Sequence, residues 1–196
     1  MSTAALTPNP NINAIATLGG VFSREECERI VTSGTRLAGK VGGVGGVAPA
    51  REGAADGVRK TAVSWLDPAA SEPVYRKIRQ IALDMNEKLY KFDLTGFGDP
   101  IQFTRYERIG DYYTWHQDLA SGASSLRKLS VVVQLSDPAA YRGCDLELYS
   151  EGKPVPQART QGTVLVFPAW QLHRVTALEA GVRYSLVAWF AGQPFR

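Results

Sequence analysis

The chain holds only two histidines, His116 and His173, and each stands where it could serve a metal ion. His116 opens the triplet His116-Gln117-Asp118, and Arg183 follows His173 by ten positions. On a β-strand, residues i and i+2 project to the same side, so His116 and Asp118 could grip one ion together. With His173 they would place two imidazoles and one carboxylate on one face of a metal. The other face stays open, which suits Fe(II) working on O2. A lone histidine is usually a satisfied core or surface residue, and an isolated H-x-D says little. Weight comes from the ordered set of H-x-D, distal histidine and trailing arginine, each in a strand-like context.

Elements must hold these groups, and their pattern is legible. Ser23 with Glu26 three residues later makes a capping box, and Cys27, Ile30 and Val31 supply the apolar stripe of a first helix. Ser71-Glu72-Pro73 opens a second, in which Val74, Ile78, Ile81, Ala82, Met85 and Leu89 recur at helical spacing. A strand is expected over 61–66. Residues 1–20 read as a loosely held leader. The stretch 38–57 is dominated by Gly and Ala, lacks the bulk to pack, and is expected to be a mobile loop.

From Ile101 the pattern changes to IQFTRYE, YYTWHQD, KLSVVVQLS, DLELYS, GTVLVFP, HRVTAL and RYSLVAWF, separated by turn residues. Short β-rich segments so spaced argue for a sandwich or barrel rather than βαβ units. The expectation is a mainly β (α+β) chain: a jelly roll, or double-stranded β-helix of cupin-like kind, buttressed by N-terminal helices. Residues 1–100 would be helical support within the same domain, and 101–196 the β core.

Composition bounds the function. At 196 residues the chain suits one domain with a sizeable core, and 44% hydrophobic with 21% charged residues is ordinary for a globular protein. A net charge of +3 with no run of Lys or Arg disfavours nucleic acid as the main ligand. No apolar run reaches membrane-spanning length, and the first residues lack a charged, apolar signal pattern. Cys27 and Cys144 form no C-x-x-C pair, so two reduced thiols in a cytoplasmic protein are the default.

The segment from Ile101 to Phe190 resembles the Fe(II)/2-oxoglutarate-dependent dioxygenases, specifically the prolyl-hydroxylase-like group and its small bacterial PKHD-type members. The residues that carry the likeness are Tyr106-Glu107-Arg108-Ile109-Gly110-Asp111-Tyr112-Tyr113 leading into His116-Gln117-Asp118, then residues 129–148. Leu172-His173-Arg174-Val175-Thr176 and Gly181-Val182-Arg183-Tyr184-Ser185 follow. The resemblance implies that His116, Asp118 and His173 bind iron and form the catalytic centre. 2-Oxoglutarate would chelate through its C1 carboxylate and ketone, O2 would take a further position, and ascorbate would be an auxiliary reductant. Arg183 offers a planar fork for the far C5 carboxylate, and Ser185, two positions on, can donate another hydrogen bond. Tyr106 and Gln134 match positions that can reach the co-substrate; a core tyrosine and a solvent-facing strand amide are the plainer readings. Arg174, beside a metal ligand, and Trp115 and Trp170 are the candidate substrate-binding residues. Arg59 and Arg105 could likewise hold a substrate carboxylate or a peptide backbone and Trp189 could line the pocket, against the plainer readings of surface arginines and a core aromatic.

One feature departs from the family: two glycines often precede the strand after H-x-D, where this chain has Gly143-Cys144. Rival chemistries lack their motifs. H-E-x-x-H is absent, GGVGGV lacks a trailing G-K-[ST], and neither cysteine has a nucleophile's setting. A halogenase would replace Asp118 with a small residue. The expected reaction is hydroxylation of an aliphatic C–H bond of a prolyl or similar residue in a peptide or protein. Alternatives are a free amino acid or small metabolite as substrate, and a non-catalytic 2-oxoglutarate- or metal-binding sensor. The 38–57 stretch would then be a substrate-covering lid, or a plain linker.

Overall fold

The computed structural model describes residues 7–37, 40–41 and 57–195. Of the stretch expected as a mobile loop or lid over 38–57, all but Lys40, Val41 and Gly57 lies outside the described residues.

Two helices form where their signals predict. Helix α1 (Arg24–Thr35) starts at Ser23, whose hydroxyl accepts from the Glu26 amide while the Glu26 carboxylate accepts from the Ser23 amide. Helix α2 (Glu72–Met85) has its proline in the first turn and buries Tyr75, Ile78, Ala82 and Met85. It runs on into one wide turn at Asn86–Tyr90, closed by Lys91 in the left-handed conformation. An ion pair of 2.8 Å between Lys77 and Glu26 joins the two helices.

The first hundred residues also supply strands. These are β1 (Ala16–Leu18), β2 (Lys40–Val41), β3 (Arg59–Lys60), β4 (Ala62–Trp65) and β5 (Leu94–Phe97). Ten more follow: β6 (Gln102–Tyr106), β7 (Tyr112–His116), β8 (Arg127–Gln134), β9 (Tyr141–Gly143), β10 (Leu146–Ser150), β11 (Lys153–Pro156), β12 (Val164–Pro168), β13 (His173–Val175), β14 (Leu178–Gly181) and β15 (Arg183–Gly192). The major sheet has the order β1-β12-β8-β15-β6-β4-β2, with β5 pairing the far end of β15. The minor sheet runs β11-β10-β13-β7-β3, and β9 pairs β14. Every pairing is antiparallel, and the architecture is the expected jelly roll with few helices.

Alternation along two strands decides what faces the helices and what faces the second sheet. On β8, Leu129, Val131 and Val133 join Ile30, Ile78, Ala82 and Phe103 under the helices. Leu186, Ala188 and Phe190 of β15 enter the same core. The intervening residues turn inward, where Val132 packs with Tyr106, Leu146, Leu148, Leu165, Phe167 and Val175 in a second core between the sheets. Ser130, Gln134, Arg183 and Ser185 share that inward face and are all buried. Polar side chains in an apolar interior cost free energy unless partnered, so their presence marks a site. Among the described residues no helix is long and apolar enough to cross a membrane.

Candidate metal centre

His116 ends β7 and His173 begins β13, and the two are direct cross-strand partners. Their rings stand 4.1 Å apart, centroid to centroid. Asp118 does not share the pleat of His116: the strand ends at His116, and Asp118 sits in a bend two residues later. The simple i, i+2 argument is thus corrected. What aims the carboxylate is the bend, pinned by the Asp118 and Leu119 amides, which both donate to the Ala169 carbonyl at 2.9 and 2.8 Å.

One ligand atom from each of His116, Asp118 and His173 lies within 4.8 Å of the others. The His116 Nε2 is 3.8 Å from Asp118 Oδ1, and the His173 Nε2 is 3.6 Å from Asp118 Oδ2. Each imidazole is oriented through its other nitrogen, Nδ1 lying 2.7 Å from the Thr114 carbonyl for His116 and 2.8 Å from the Gln171 carbonyl for His173. Carbonyls only accept, so both Nδ1 atoms carry the proton and both Nε2 lone pairs point at the shared space. Ser130 donates its hydroxyl to Asp118 Oδ2 at 2.6 Å, which leaves Oδ1 free. The Tyr113 ring stacks on His116 at 3.4 Å and 16°.

The electrostatics favour a cation. Burial, aided by the neighbouring His173, pushes the His116 imidazole down to about 3, so it is neutral and ready to ligate at ordinary pH. Burial alone would raise the Asp118 carboxyl, but His173, His116 and the Ser130 hydroxyl outweigh it and hold it below the usual carboxylate range. Two imidazole nitrogens and one carboxylate oxygen on one side of a common point make a donor set for a first-row divalent metal with an open face.

Further along the same interior lies a cation without a counter-charge. Arg183 is 2% exposed, faces Tyr106 across the β6–β15 pairing and donates to Gln134 Oε1 at 2.9 Å. Its Nη1 is buried with no partner. Gln134 is itself buried and donates to the Ala158 carbonyl, so it is not the solvent-facing amide its strand position allowed. Ser185 pairs with Gln134 on one side and Thr104 on the other. Burial pushes the Tyr106 phenol up to about 12, opposed by Arg59 and Arg183. A buried guanidinium with a free donor is an incomplete site for a carboxylate, whose two oxygens match the fork. The residues therefore fit both a divalent metal and a dicarboxylate.

The structure brings His116, Asp118, His173, Tyr106, Gln134, Arg183 and Ser185 into one interior. Three candidates stand apart. Arg174 alternates away from His173, ion-pairs with Glu147 at 2.7 Å and lies 4.7 Å over the Trp115 ring, on the outer face of the minor sheet. Trp115 in turn meets the exposed Tyr149. Trp170 packs between Phe92 and Phe195 and donates to Asn13. Ser130, Tyr113 and Arg59 are the site residues that sequence reasoning passed over or ranked low. A polar Ser130 at even spacing from Gln134, inside the run LSVVVQ, was the available signal for the first.

Residues 101–191 match the family model of the 2OG-Fe(II) oxygenase superfamily. A PKHD-type hydroxylase of Synechococcus sp. (strain CC9311) is 29% identical over 86% of this chain and 74% of its own length. Another, from Thermosynechococcus vestitus, is 33% identical over 55% of this chain and 50% of its own, so here the chain spans half the relative. Among solved structures, a Pseudomonas putida prolyl-4-hydroxylase superposes with a TM-score of 0.67 at 20% identity, over 92% of this chain and 94% of that one. A prolyl hydroxylase of Trichoplax adhaerens, in complex with a hypoxia inducible factor oxygen degradation domain peptide fragment, gives 0.71 at 18% identity, over 92% and 84%. Both likenesses are of fold.

Proposed function

We propose, from the premise that residues 101–191 form a 2OG-Fe(II) oxygenase superfamily domain, that this chain is an Fe(II)- and 2-oxoglutarate-dependent hydroxylase. Its substrate is an aliphatic C–H bond of a prolyl or similar residue in a peptide or protein, a reading supported by what its relatives are named for. The observation that carries the activity is the convergence of His116, Asp118 and His173 at one point of the interior. His116, Asp118 and His173 would hold the metal and Arg183 the co-substrate, and together these would supply the oxidation, one oxygen atom of O2 going into succinate formed with CO2 from 2-oxoglutarate and the other into the C–H bond.

The chain's own residues do the positioning. His116 and His173 present neutral Nε2 atoms, fixed by the Thr114 and Gln171 carbonyls. Asp118 offers Oδ1 while Ser130 holds Oδ2, which favours single-oxygen ligation and leaves room for further ligands. Arg183, set by Gln134, receives the far carboxylate of 2-oxoglutarate, with Ser185 and Tyr106 beside it. The apolar wall of Leu148, Leu165 and Phe167 excludes water from the reacting side.

The test is succinate release from purified protein given Fe(II), 2-oxoglutarate, ascorbate as the reductant that restores Fe(II), and a panel of prolyl peptides and free amino acids. Succinate should depend on both Fe(II) and Asp118, disappearing in Asp118→Ala. Release that survives Asp118→Ala, or that never exceeds the metal-free control, would overturn the assignment.

A further inference from the structure

Arg59 is the second buried guanidinium in this interior, and nothing among the described residues neutralises it. It is 7% exposed, makes no hydrogen bond or ion pair there, and its Nε is sealed from solvent without a partner. Arg127 holds Asp99, Arg159 holds Asp145 and Arg174 holds Glu147; Arg105 on β6 also has an unpartnered Nε but is less buried than Arg59. Strand β3 pairs with β7 so that Arg59 lies opposite Tyr113. The guanidinium sits 4.6 Å from the Tyr113 ring centroid, and that ring is the one stacked on His116. Its charge also reaches the Tyr106 and Tyr113 phenols, where it opposes the burial that raises both. Arg183 lies 5.4 Å from the Tyr106 ring. Two cations thus flank Tyr106, Arg59 on the metal-ligand side and Arg183 beyond.

Charge balance then separates their roles, on the reading given above. A divalent metal, the Asp118 carboxylate, a doubly charged 2-oxoglutarate and Arg183 together come to zero. Arg59 adds one positive charge to that set, and among the described residues no carboxylate makes an ion pair with it, which is costly for a buried guanidinium. An aromatic face relieves only part of that cost. A guanidinium with an unpartnered Nε, set against the ring that stacks on His116, is suited to receive one more planar anion.

We infer that Arg59 binds a carboxylate of the primary substrate next to the reacting centre. This narrows the substrate proposed above to one with a free carboxylate, the C-terminal residue of a peptide or, as the other source of the same group, a free amino acid, and sets internal residues aside. Arg59, not Arg174, is then the substrate-anchoring arginine.

The experiment uses matched probes under anaerobic conditions on protein loaded with Fe(II) and 2-oxoglutarate. Free L-proline, N-acetyl-L-proline and N-acetyl-L-prolinamide are titrated calorimetrically, and their succinate release is followed in air. A carboxylate probe should bind the wild-type protein about 30-fold or more tightly than the amide, the scale of truncating a desolvated charge pair. Free proline against its N-acetyl form separates the amino-acid source from the chain terminus. Arg59→Gln should bring acid and amide to one level while 2-oxoglutarate affinity stays within about twofold, and Arg59→Lys should fall between, keeping charge without the fork. An acid-to-amide ratio near one in the wild type, or no binding of any probe, overturns the inference. So does a 2-oxoglutarate affinity that collapses in Arg59→Gln, which would put Arg59 in the co-substrate site. Should Arg59→Gln fail to fold, the wild-type ratio and Arg59→Lys still decide. Succinate formed without any probe reports separately on the oxygenase reading.

Discussion

Ser130 donates to the one Asp118 oxygen that must not wander, and this single bond is buried and 2.6 Å long. Ser130→Ala should leave the fold standing, because the lost hydroxyl leaves only a small void. Metal affinity should drop by about 10- to 100-fold, the usual effect of removing a partner that orients a ligand. Titration of Mn(II) into the variant, followed by its paramagnetic signal, checks this, and affinity equal to wild type would remove Ser130 from the site. His116 sets a pH dependence at the same scale. Its imidazole takes a proton near 6.5 in the unfolded chain but only near about 3 in the fold. Above pH 6.5 both states are neutral there and stability is full. As pH falls from 6.5 towards 3 the unfolded state gains a proton that the folded state refuses, and stability is lost. By pH 4.5 this amounts to about 2–3 kcal/mol in metal-free protein, at ~1.4 kcal/mol per pH unit of the gap. Urea midpoints at pH 7 and 4.5 should therefore fall less for His116→Gln than for wild type.

Among the elements, the turn after β9 is tightly constrained. Gly143 has φ +67, and a Cβ there would lie 2.4 Å from the Ala177 carbonyl oxygen. Cys144 follows at φ +55, in the region where a second glycine would be at ease. A glycine at 144 would adopt this conformation without the cost that a cysteine bears. Gly143→Ala should destabilise by about 2–4 kcal/mol, combining left-handed strain with a backbone clash, and thermal melting would read it directly. The capping box of α1, the stripe of α2 and the apolar runs of β8, β12 and β15 could all be read in advance, because local periodicity fixes them. The bend holding Asp118 could not, since it depends on the Ala169 carbonyl far along the chain. The outward turn of Trp115 and Arg174 was legible, because alternation puts the strand neighbour of a ligand on the opposite face. Arg59 is a sequence candidate ranked below Arg174, because β3 reaches the site only by pairing with β7, more than fifty residues on.

On the scale of the whole molecule, the two cores divide the labour. The larger one, between the helices and the major sheet, carries stability; the smaller, between the sheets, frames the site. Ile78 is fully buried in the first. Ile78→Ala should cost about 2–5 kcal/mol in denaturant unfolding, the range for truncating a buried aliphatic side chain. Metal affinity in the folded variant should stay unchanged, because Ile78 packs in the helix-side core and not in the one between the sheets that frames the site. A parallel loss of metal binding would mean that the two cores are not separable.

The cross-strand pairing of the two histidines has a topological consequence. Residues 116 and 173 are 57 positions apart in the chain (173 less 116) and meet only when β7 and β13 zip together. An ion held by both is a reversible cross-link closing that loop, comparable in effect to a disulfide. A fixed link over such a loop would remove about 4 kcal/mol of chain entropy from the unfolded state. A metal delivers this only to the extent that it prefers the folded site over loose imidazoles. Loading should thus slow unfolding as well as raise the melting temperature, and chelation should restore the faster rate. Stopped-flow unfolding with Mn(II) and with a chelator would measure that difference. The same ion that equips the site for chemistry would then also act as the clasp of the barrel.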